Sequence, residues 1–171
     1  QPGQYSVTLT ATSSAGCTDF ETKTIDVFEV PIASFISNEV CFNEVTSLSD
    51  QSSIQTGSIV NYEWFIEGNT LNTQDVNYTF AQPGLTNVQL KVISDNGCVD
   101  SINQDVFVYS LPIADFSYSP EEIDIFETYV CFSNESFLGD VFLWDFDFQN
   151  QQSVNEFPCV QFPYLENESY D

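Results

Sequence analysis

A gapless internal repeat constrains this chain more than any other feature. Pro2-Gly3, Gly16-Cys17 and Pro31-Ile32-Ala33-Ser34-Phe35 recur as Pro83-Gly84, Gly97-Cys98 and Pro112-Ile113-Ala114-Asp115-Phe116. Gly3/Gly84, Cys17/Cys98 and Pro31/Pro112 are each 81 positions apart, so no insertion or deletion separates the copies. A period of that size fits one small module, near the lower limit for an independent core. At 171 residues the chain holds about two periods, cut out of phase. The expectation is a segment of a longer tandem array that begins and ends inside modules.

The residue pattern says what kind of module repeats. No window spaces apolar residues at i, i+3, i+4 and i+7, so almost no helix is expected. Tyr5, Val7, Leu9 and Ala11 alternate with Ser6, Thr8 and Thr10, which predicts a half-buried strand. Ser13-Ser14-Ala15-Gly16 predicts a hairpin, and Thr22 to Phe28 the returning strand with Ile25 inward. Residues 1–29 therefore read as the end of a module. Residues 30–110 read as a complete one, with strands around Ala33-Phe35, Thr46-Asp50, Ile59-Ile66, Val76-Phe80, Val88-Val92 and Ile102-Tyr109. Val60, Tyr62, Trp64 and Ile66 are expected on one face. Residues 111–171 read as a third module lacking its last two strands, with Trp144 in the position of Trp64. About seven strands, separated by turn signals every 8–12 residues or so, indicate an antiparallel β-sandwich.

Charge narrows the function. Lys23 and Lys91 are the only basic side chains, against 26 acids, for a net charge of −24. Such a field repels nucleic acid and anionic membranes. It keeps a long array soluble and attracts divalent cations. With no His, most catalytic triads and imidazole proton transfer are excluded. Paired carboxylates alone are too common in so acidic a chain to argue for a glycosidase. No enzyme is expected. Neither a signal peptide nor a transmembrane run is visible, so direct membrane insertion is not expected.

The ordered landmarks resemble the PKD (polycystic kidney disease) domain, an immunoglobulin-like β-sandwich. The matching residues are Pro31/Ala33/Phe35, Tyr62/Trp64, Pro83/Gly84, Val88/Leu90/Val92 and Gly97/Cys98, then Pro112/Ala114/Phe116 and Trp144/Asp145/Phe146. Where the family has Gly-Asp-Gly, this chain has Glu67-Gly68-Asn69 and Asp147-Phe148-Gln149, so that turn must be built differently. The resemblance implies an all-β fold of tandem immunoglobulin-like sandwiches, strung like beads. Cysteines within an acidic array also look like the long surface proteins of Bacteroidota, among them gliding-motility adhesins exported by the type nine secretion pathway.

Five cysteines without zinc-type spacing favour disulfides in an oxidising compartment over a metal site. Free buried thiols are the alternative. In the fold that the resemblance implies, Cys41 would pair with Cys98, and Cys131 with Cys159. Cys17 would then need a partner outside the segment. Trp64 and Trp144 read as core residues and not as sugar-stacking platforms. Asp140, Asp145 and Asp147, or Asp50 with Glu63 and Glu67, are candidate Ca²⁺ ligands; no other cofactor is indicated. Asp100-Ser101-Ile102 resembles a bacterial O-glycan acceptor, making Ser101 a candidate modification site. Asn77, Asn134 and Asn167 head N-glycan acceptor triplets.

The leading expectation is a structural and adhesive stalk segment of a secreted cell-surface protein or filament. Its partners would be neighbouring modules of the same chain and other copies in a filament. The alternative is a PKD module that binds surface polysaccharide or protein and is appended to a secreted hydrolase. The seam from Pro2-Gly3 to Phe35 would set the stiffness and reach of an array.

Overall fold

The computed structural model describes residues 1–122, 129–146 and 151–162. Every regular element among them is a strand. The chain divides into two compact units, Gln1–Tyr109 and Ser110–Asp171.

The first unit opens with β1 (Gly3–Thr12) and β2 (Thr18–Val27), a two-stranded antiparallel ribbon. It continues through β3 (Phe35–Ser37), β4 (Val40–Cys41), β5 (Thr46–Asp50), β6 (Ile59–Ile66), β7 (Asn69–Leu71), β8 (Val76–Tyr78), β9 (Gly84–Ser94) and β10 (Val99–Tyr109). These eight strands make two sheets. One has the order β4-β10-β9-β6-β7 and the other β3-β5-β8. All pairings are antiparallel except β10 with β4. The short β4 and β7 left no alternation in the sequence, because two or three residues cannot display one.

The core lies between the sheets. Alternation along β9 buries Val88, Leu90 and Val92, and β6 adds Trp64 and Ile66, while Phe35, Leu48 and Val76 face them from the other sheet. Burial of each such aliphatic side chain stabilises by roughly 1.5–3 kcal/mol. Trp64 is fully buried. Its ring meets Phe35 edge-on at 5.0 Å, and its Nε1 donates to the Thr73 carbonyl at 2.9 Å. The indole thus fills the core without leaving its polar atom unpaired.

β6 turns into β7 through Glu67 and Gly68, whose φ values of 48° and 80° make a two-residue turn of the mirror type. Gly68 adopts this conformation freely. Glu67 is held there by its own carboxylate, which accepts from the Tyr78 hydroxyl and the Ala81 N–H. This is how the chain builds a turn where the family pattern has Gly-Asp-Gly.

Two expectations are corrected. Val60 does not share the face of Trp64 and Ile66 but is exposed. A bulge between Ile59 and Asn61 shifts the register, so Ile59 turns to the core instead. The strand Tyr5–Ala11 is not half-buried either. Both faces of β1 and β2 are exposed along their whole length, and among the described residues no second sheet pairs with or lies against the ribbon.

The second unit contains β11 (Phe116–Ser119), β12 (Tyr129–Asn134), β13 (Trp144–Phe146), β14 (Gln151–Ser153) and β15 (Cys159–Gln161). β11-β12-β15 form one sheet and β13-β14 another. They repeat β3-β5-β8 and β6-β7. Phe116 faces Asn134 as Phe35 faces Asp50. Trp144 Nε1 donates to the Asn155 carbonyl at 2.8 Å, as Trp64 does to Thr73. The Ile113–Phe137 bridge matches the Ile32–Ser53 bridge. Among the described residues nothing corresponds to β9 and β10.

Candidate interaction surfaces

The seam between the ribbon and the sandwich is built by hydrogen bonds. One carboxylate oxygen of Glu29 accepts from both the N–H and the hydroxyl of Thr56, each at 2.9 Å. Pro31 is buried, and Ile32 exchanges two backbone hydrogen bonds with Ser53. The Ala33 N–H then donates to Asp100 Oδ2 at 2.8 Å. A cleft of about 330 Å³ lies here, with Pro2, Val27 and Phe28 on one side and Thr56, Gly57 and Asn96 on the other. Gly57 has φ 90°, and a Cβ on it would stand 2.7 Å from the Asp95 carboxylate. Glycine takes up that φ without strain, and any Cβ there would push the Asp95 carboxylate aside.

The sequence reading missed Glu29, Thr56 and Asp100. For Asp100 a signal existed: Gly-Cys-x-Asp occurs at Gly16–Asp19 and again at Gly97–Asp100. For Glu29 and Thr56, 27 residues apart, nothing local pointed to the contact.

The second surface is the open face of the second unit. Phe116, Phe132, Trp144 and Phe146 form a continuous aromatic cluster with ring centroids 5.3–5.6 Å apart at the Phe116–Trp144, Phe132–Trp144 and Phe132–Phe146 contacts. An apolar recess of about 350 Å³ is walled by Phe116, Tyr118, Pro120, Val130 and Phe132. Another of about 380 Å³ runs from Ala114 past Phe116 and Trp144 to Phe146. Phe116 is 53% exposed where its counterpart Phe35 is 3% exposed.

The family model of the PKD domain matches residues 29–108. These span the eight strands just described, with the two-sheet core and the Pro31, Trp64 and Gly97-Cys98 landmarks. Over residues 29–108 the chain matches the PKD domain. Solved structures similar to it include the PKD1 domain of Vibrio anguillarum Epp, at 20% identity and TM-score 0.45, covering 48% of this chain and 96% of that one. The PKD1 domain of the Vibrio cholerae metalloprotease PrtV has 26% identity and TM-score 0.44, covering 47% and 98%. A structure described for carbohydrate-binding modules of the β-sandwich superfamily has 16% identity and TM-score 0.46, covering 61% of this chain and 54% of that one. No curated protein matches the chain. PKD domains are non-catalytic modules typical of extracellular proteins. No helix among the described residues is long and apolar enough to cross a membrane, which leaves β-barrels unaddressed.

In the PKD domain Cys41 and Cys98 do not pair. Cys41 is level with Tyr109 at one end of β10, and Cys98 directly precedes Val99 at the other. Ten residues of strand hold them roughly 33 Å apart, far beyond the ~7 Å that a disulfide spans between Cα atoms. The seven residues from Asn38 to Glu44, with their own short strand, carry Cys41 to the wrong end for that bridge. Cys17 and Cys98 instead occupy identical hairpin turns: Ser13 and Ser94 each accept from the following Cys N–H through the hydroxyl. Cys17, Cys41 and Cys98 are free thiols. Cys131 and Cys159 face each other across β12 and β15 and are joined by a disulfide.

The candidate carboxylates are dispersed. Asp140 and Asp145 are exposed, and Asp145 accepts from Gln152. Asp147 lies outside the described residues, as does Asn167. Asp50 accepts from the Ser52 N–H, Glu63 pairs with Lys91 at 2.7 Å, and Glu67 serves the turn. Among the described residues no group of three or more His, Cys, Asp or Glu is placed to hold a metal. Ser101 is exposed on β10, next to Asp100. Asn77 and Asn134 make hydrogen bonds with Ser47 and Ser136.

The acidic surface acts on tyrosines. Burial, then Asp50 and Asp75, raise Tyr62 above 10.0. Burial and the hydrogen bond to Glu67 raise Tyr78. The 2.6 Å hydrogen bond to Glu39 raises Tyr109.

Proposed function

We propose that this chain is a structural and adhesive stalk segment of a long secreted cell-surface protein, built of PKD modules in series. In this reading residues 1–29 end one module, 30–110 form the next and 111–171 begin a third. The modules carry no catalytic site. Their work is to project a distal element from the surface. The setting in keeping with the acidic repeat is a bacterial surface array of the kind exported by Bacteroidota.

The observation that carries the reading is the Glu29–Thr56 contact. A linker two hydrogen bonds from a neighbouring loop, followed at once by a buried proline, transmits orientation from one module to the next. A free linker such as a Gly/Ser tether would not. The buried position of Trp64 also supports it, since a sugar-stacking platform needs an exposed ring face.

The test is a spin-label distance between Thr8 on β1 and Asn103 on β10 in the whole chain. One narrow distribution is expected. A broad distribution overturns the stalk reading. Binding of a surface polysaccharide by the chain on a glycan array, abolished by substitutions of exposed PKD aromatics, would replace it with the binding-module reading.

A further inference from the structure

The turn between β9 and β10 and the turn of the ribbon share one geometry. The Ser94 N–H donates to the Cys98 carbonyl and the Gly97 N–H to the Ser94 carbonyl, each at 2.9 Å. Ser13, Gly16 and Cys17 repeat both bonds at 2.8 and 2.9 Å. Gly16 and Gly97 have φ values of 82° and 78°. The residue before the glycine, however, is Ala15 in one turn and Asn96 in the other. The turn therefore does not require an asparagine, and Asn96 brings a chemistry that Ala15 lacks. Asn96-Gly97 is the only place in the chain where glycine follows asparagine. Every other asparagine is followed by a residue whose side chain crowds the next backbone nitrogen. Asn96 is exposed, and a Cβ built on Gly97 would meet nothing within 4 Å. The side-chain carbonyl of Asn96 and the Gly97 nitrogen thus have room to close a ring.

We propose that Asn96 is a site of spontaneous deamidation and that its conversion loosens the seam. The Gly97 nitrogen attacks Cγ of Asn96. The N–Cγ bond forms, the Cγ–Nδ2 bond breaks, and ammonia leaves with the proton of the Gly97 amide. Water then opens the cyclic imide at either carbonyl, leaving aspartate or isoaspartate. No oxidant or reductant takes part. Because the Gly97 N–H is held by Ser94, the reaction waits on opening of the turn, and the product accumulates with age.

The consequence follows from what Asn96 touches. Its Nδ2 donates to Asp95 Oδ1 at 3.0 Å. A carboxylate in its place cannot donate and sets two negative charges side by side. Asp95 is packed on the loop that holds the linker: its N–H donates to the Ser58 carbonyl at 2.9 Å, and its carboxylate lies against Gly57. Thr56, the preceding residue of that loop, makes both hydrogen bonds to Glu29. Asn96 itself lines the cleft between ribbon and sandwich. Lys23 and Lys91, the only basic side chains, lie beside Glu21 and Glu63, so neither neutralises the added charge. Repulsion between residues 95 and 96 therefore acts through Gly57 on the Glu29–Thr56 contact. The inference concerns the seam and holds whatever the array projects.

The test is incubation of the whole 171-residue chain, followed by peptide mapping and amide hydrogen exchange. Aspartyl and isoaspartyl products should appear at residue 96 ahead of every other asparagine. They should form faster as pH rises, because the attacking nitrogen must lose its proton. Asn96→Asp supplies the aspartyl product directly. It should accelerate exchange at the Thr56 N–H by roughly fivefold, equivalent to about 1 kcal/mol, with the circular dichroism unchanged. Added salt should reduce that effect by screening. Asn96→Ala, which copies the ribbon turn, should keep Thr56 exchange at the level of fresh wild type. Retention of the Asn96 amide while other asparagines convert overturns the proposal. So does Thr56 exchange that is the same in Asn96→Asp and wild type. Neither result touches the stalk reading, which fails on a broad distance distribution in fresh protein.

Discussion

Ser47 donates its hydroxyl to Asn77 Oδ1 at 3.0 Å across the β5–β8 pair, and the Cys131–Cys159 disulfide occupies the same pair of register positions across β12 and β15. The two units thus solve one problem, tying the middle strand to its neighbour, with a hydrogen bond in one and a covalent bond in the other. In the chain-entropy account, closing the 28-residue separation contributes about 3.5 kcal/mol. An exposed neutral hydrogen bond contributes about 1 kcal/mol or less. Cys131→Ser with Cys159→Asn should therefore lower the stability of the second unit by roughly 2–3 kcal/mol, read from denaturant unfolding followed at Trp144. Ser47→Cys with Asn77→Cys should form a bond in the PKD domain, read as the loss of two titratable thiols. Failure of that bond to form would show that the two registers are not equivalent.

Asp100 ties the start of the PKD domain to its last hairpin. Its carboxylate accepts a part-buried N–H from Ala33, 67 residues away in sequence. Asp100→Ala leaves that donor unpaired and should cost about 1–3 kcal/mol. Asp100→Asn keeps an acceptor oxygen and should cost less than half as much. Amide hydrogen exchange at Ala33 distinguishes the cause: it should accelerate in the Ala variant and stay close to wild type in the Asn variant.

The sandwich was legible in the sequence because its core strands alternate over enough residues. Val88, Leu90 and Val92 announce a face, and the repeat of Pro-Gly and Gly-Cys fixes where the hairpin begins and turns. Shorter features left no such trace. β4 is two residues long, and its parallel pairing with β10 carries Cys41 to the end of the sheet opposite Cys98, which undid the bridge expected between them. Val60 obeys the alternation of its strand in sequence and breaks it in space, because a bulge inserts one residue that no periodicity encodes. The ribbon residues Leu9 and Ile25 carry a core pattern, but burial needs a second sheet, and a pattern cannot say where that sheet is. The Glu29–Thr56 contact joins two polar residues in loops, where any acid and any hydroxyl would have read the same.

Glu29 should control the stiffness of the seam. Glu29→Ala removes both of its hydrogen bonds to Thr56, whereas Thr56→Val removes only the one from the hydroxyl and keeps the backbone N–H donor, so Glu29→Ala should have the larger effect and the double variant should be little worse than Glu29→Ala alone. Each should broaden the Thr8–Asn103 spin-label distance distribution. The cost in stability of the PKD domain should stay near about 1 kcal/mol, because the contact is exposed. Additive effects of the two substitutions would mean that the residues act through different partners.

Alkaline pH should unfold the PKD domain through its tyrosines. The chain has eight tyrosines and only two lysines, so titration above neutrality falls largely on phenols. Tyr62, Tyr78 and Tyr109 all have raised pKa values: burial leads for Tyr62 and Tyr78, and the hydrogen bond to Glu39 leads for Tyr109. A raised pKa means that the folded state favours the neutral phenol over the phenolate. The stabilisation is therefore complete below the unfolded value of 10.0 and is lost as pH rises through the higher folded values. The melting temperature should hold steady from neutral pH upward and fall once pH passes 10.0. Replacing all three tyrosines by Phe should flatten that fall, whatever it does to stability at neutral pH, because the slope reports only the protons released on unfolding. Phenolate absorbance should show these three phenols ionising above the ordinary value of 10.0. An undiminished alkaline fall in the triple variant would assign the sensitivity to general repulsion within the −24 charge, and added salt would then suppress it.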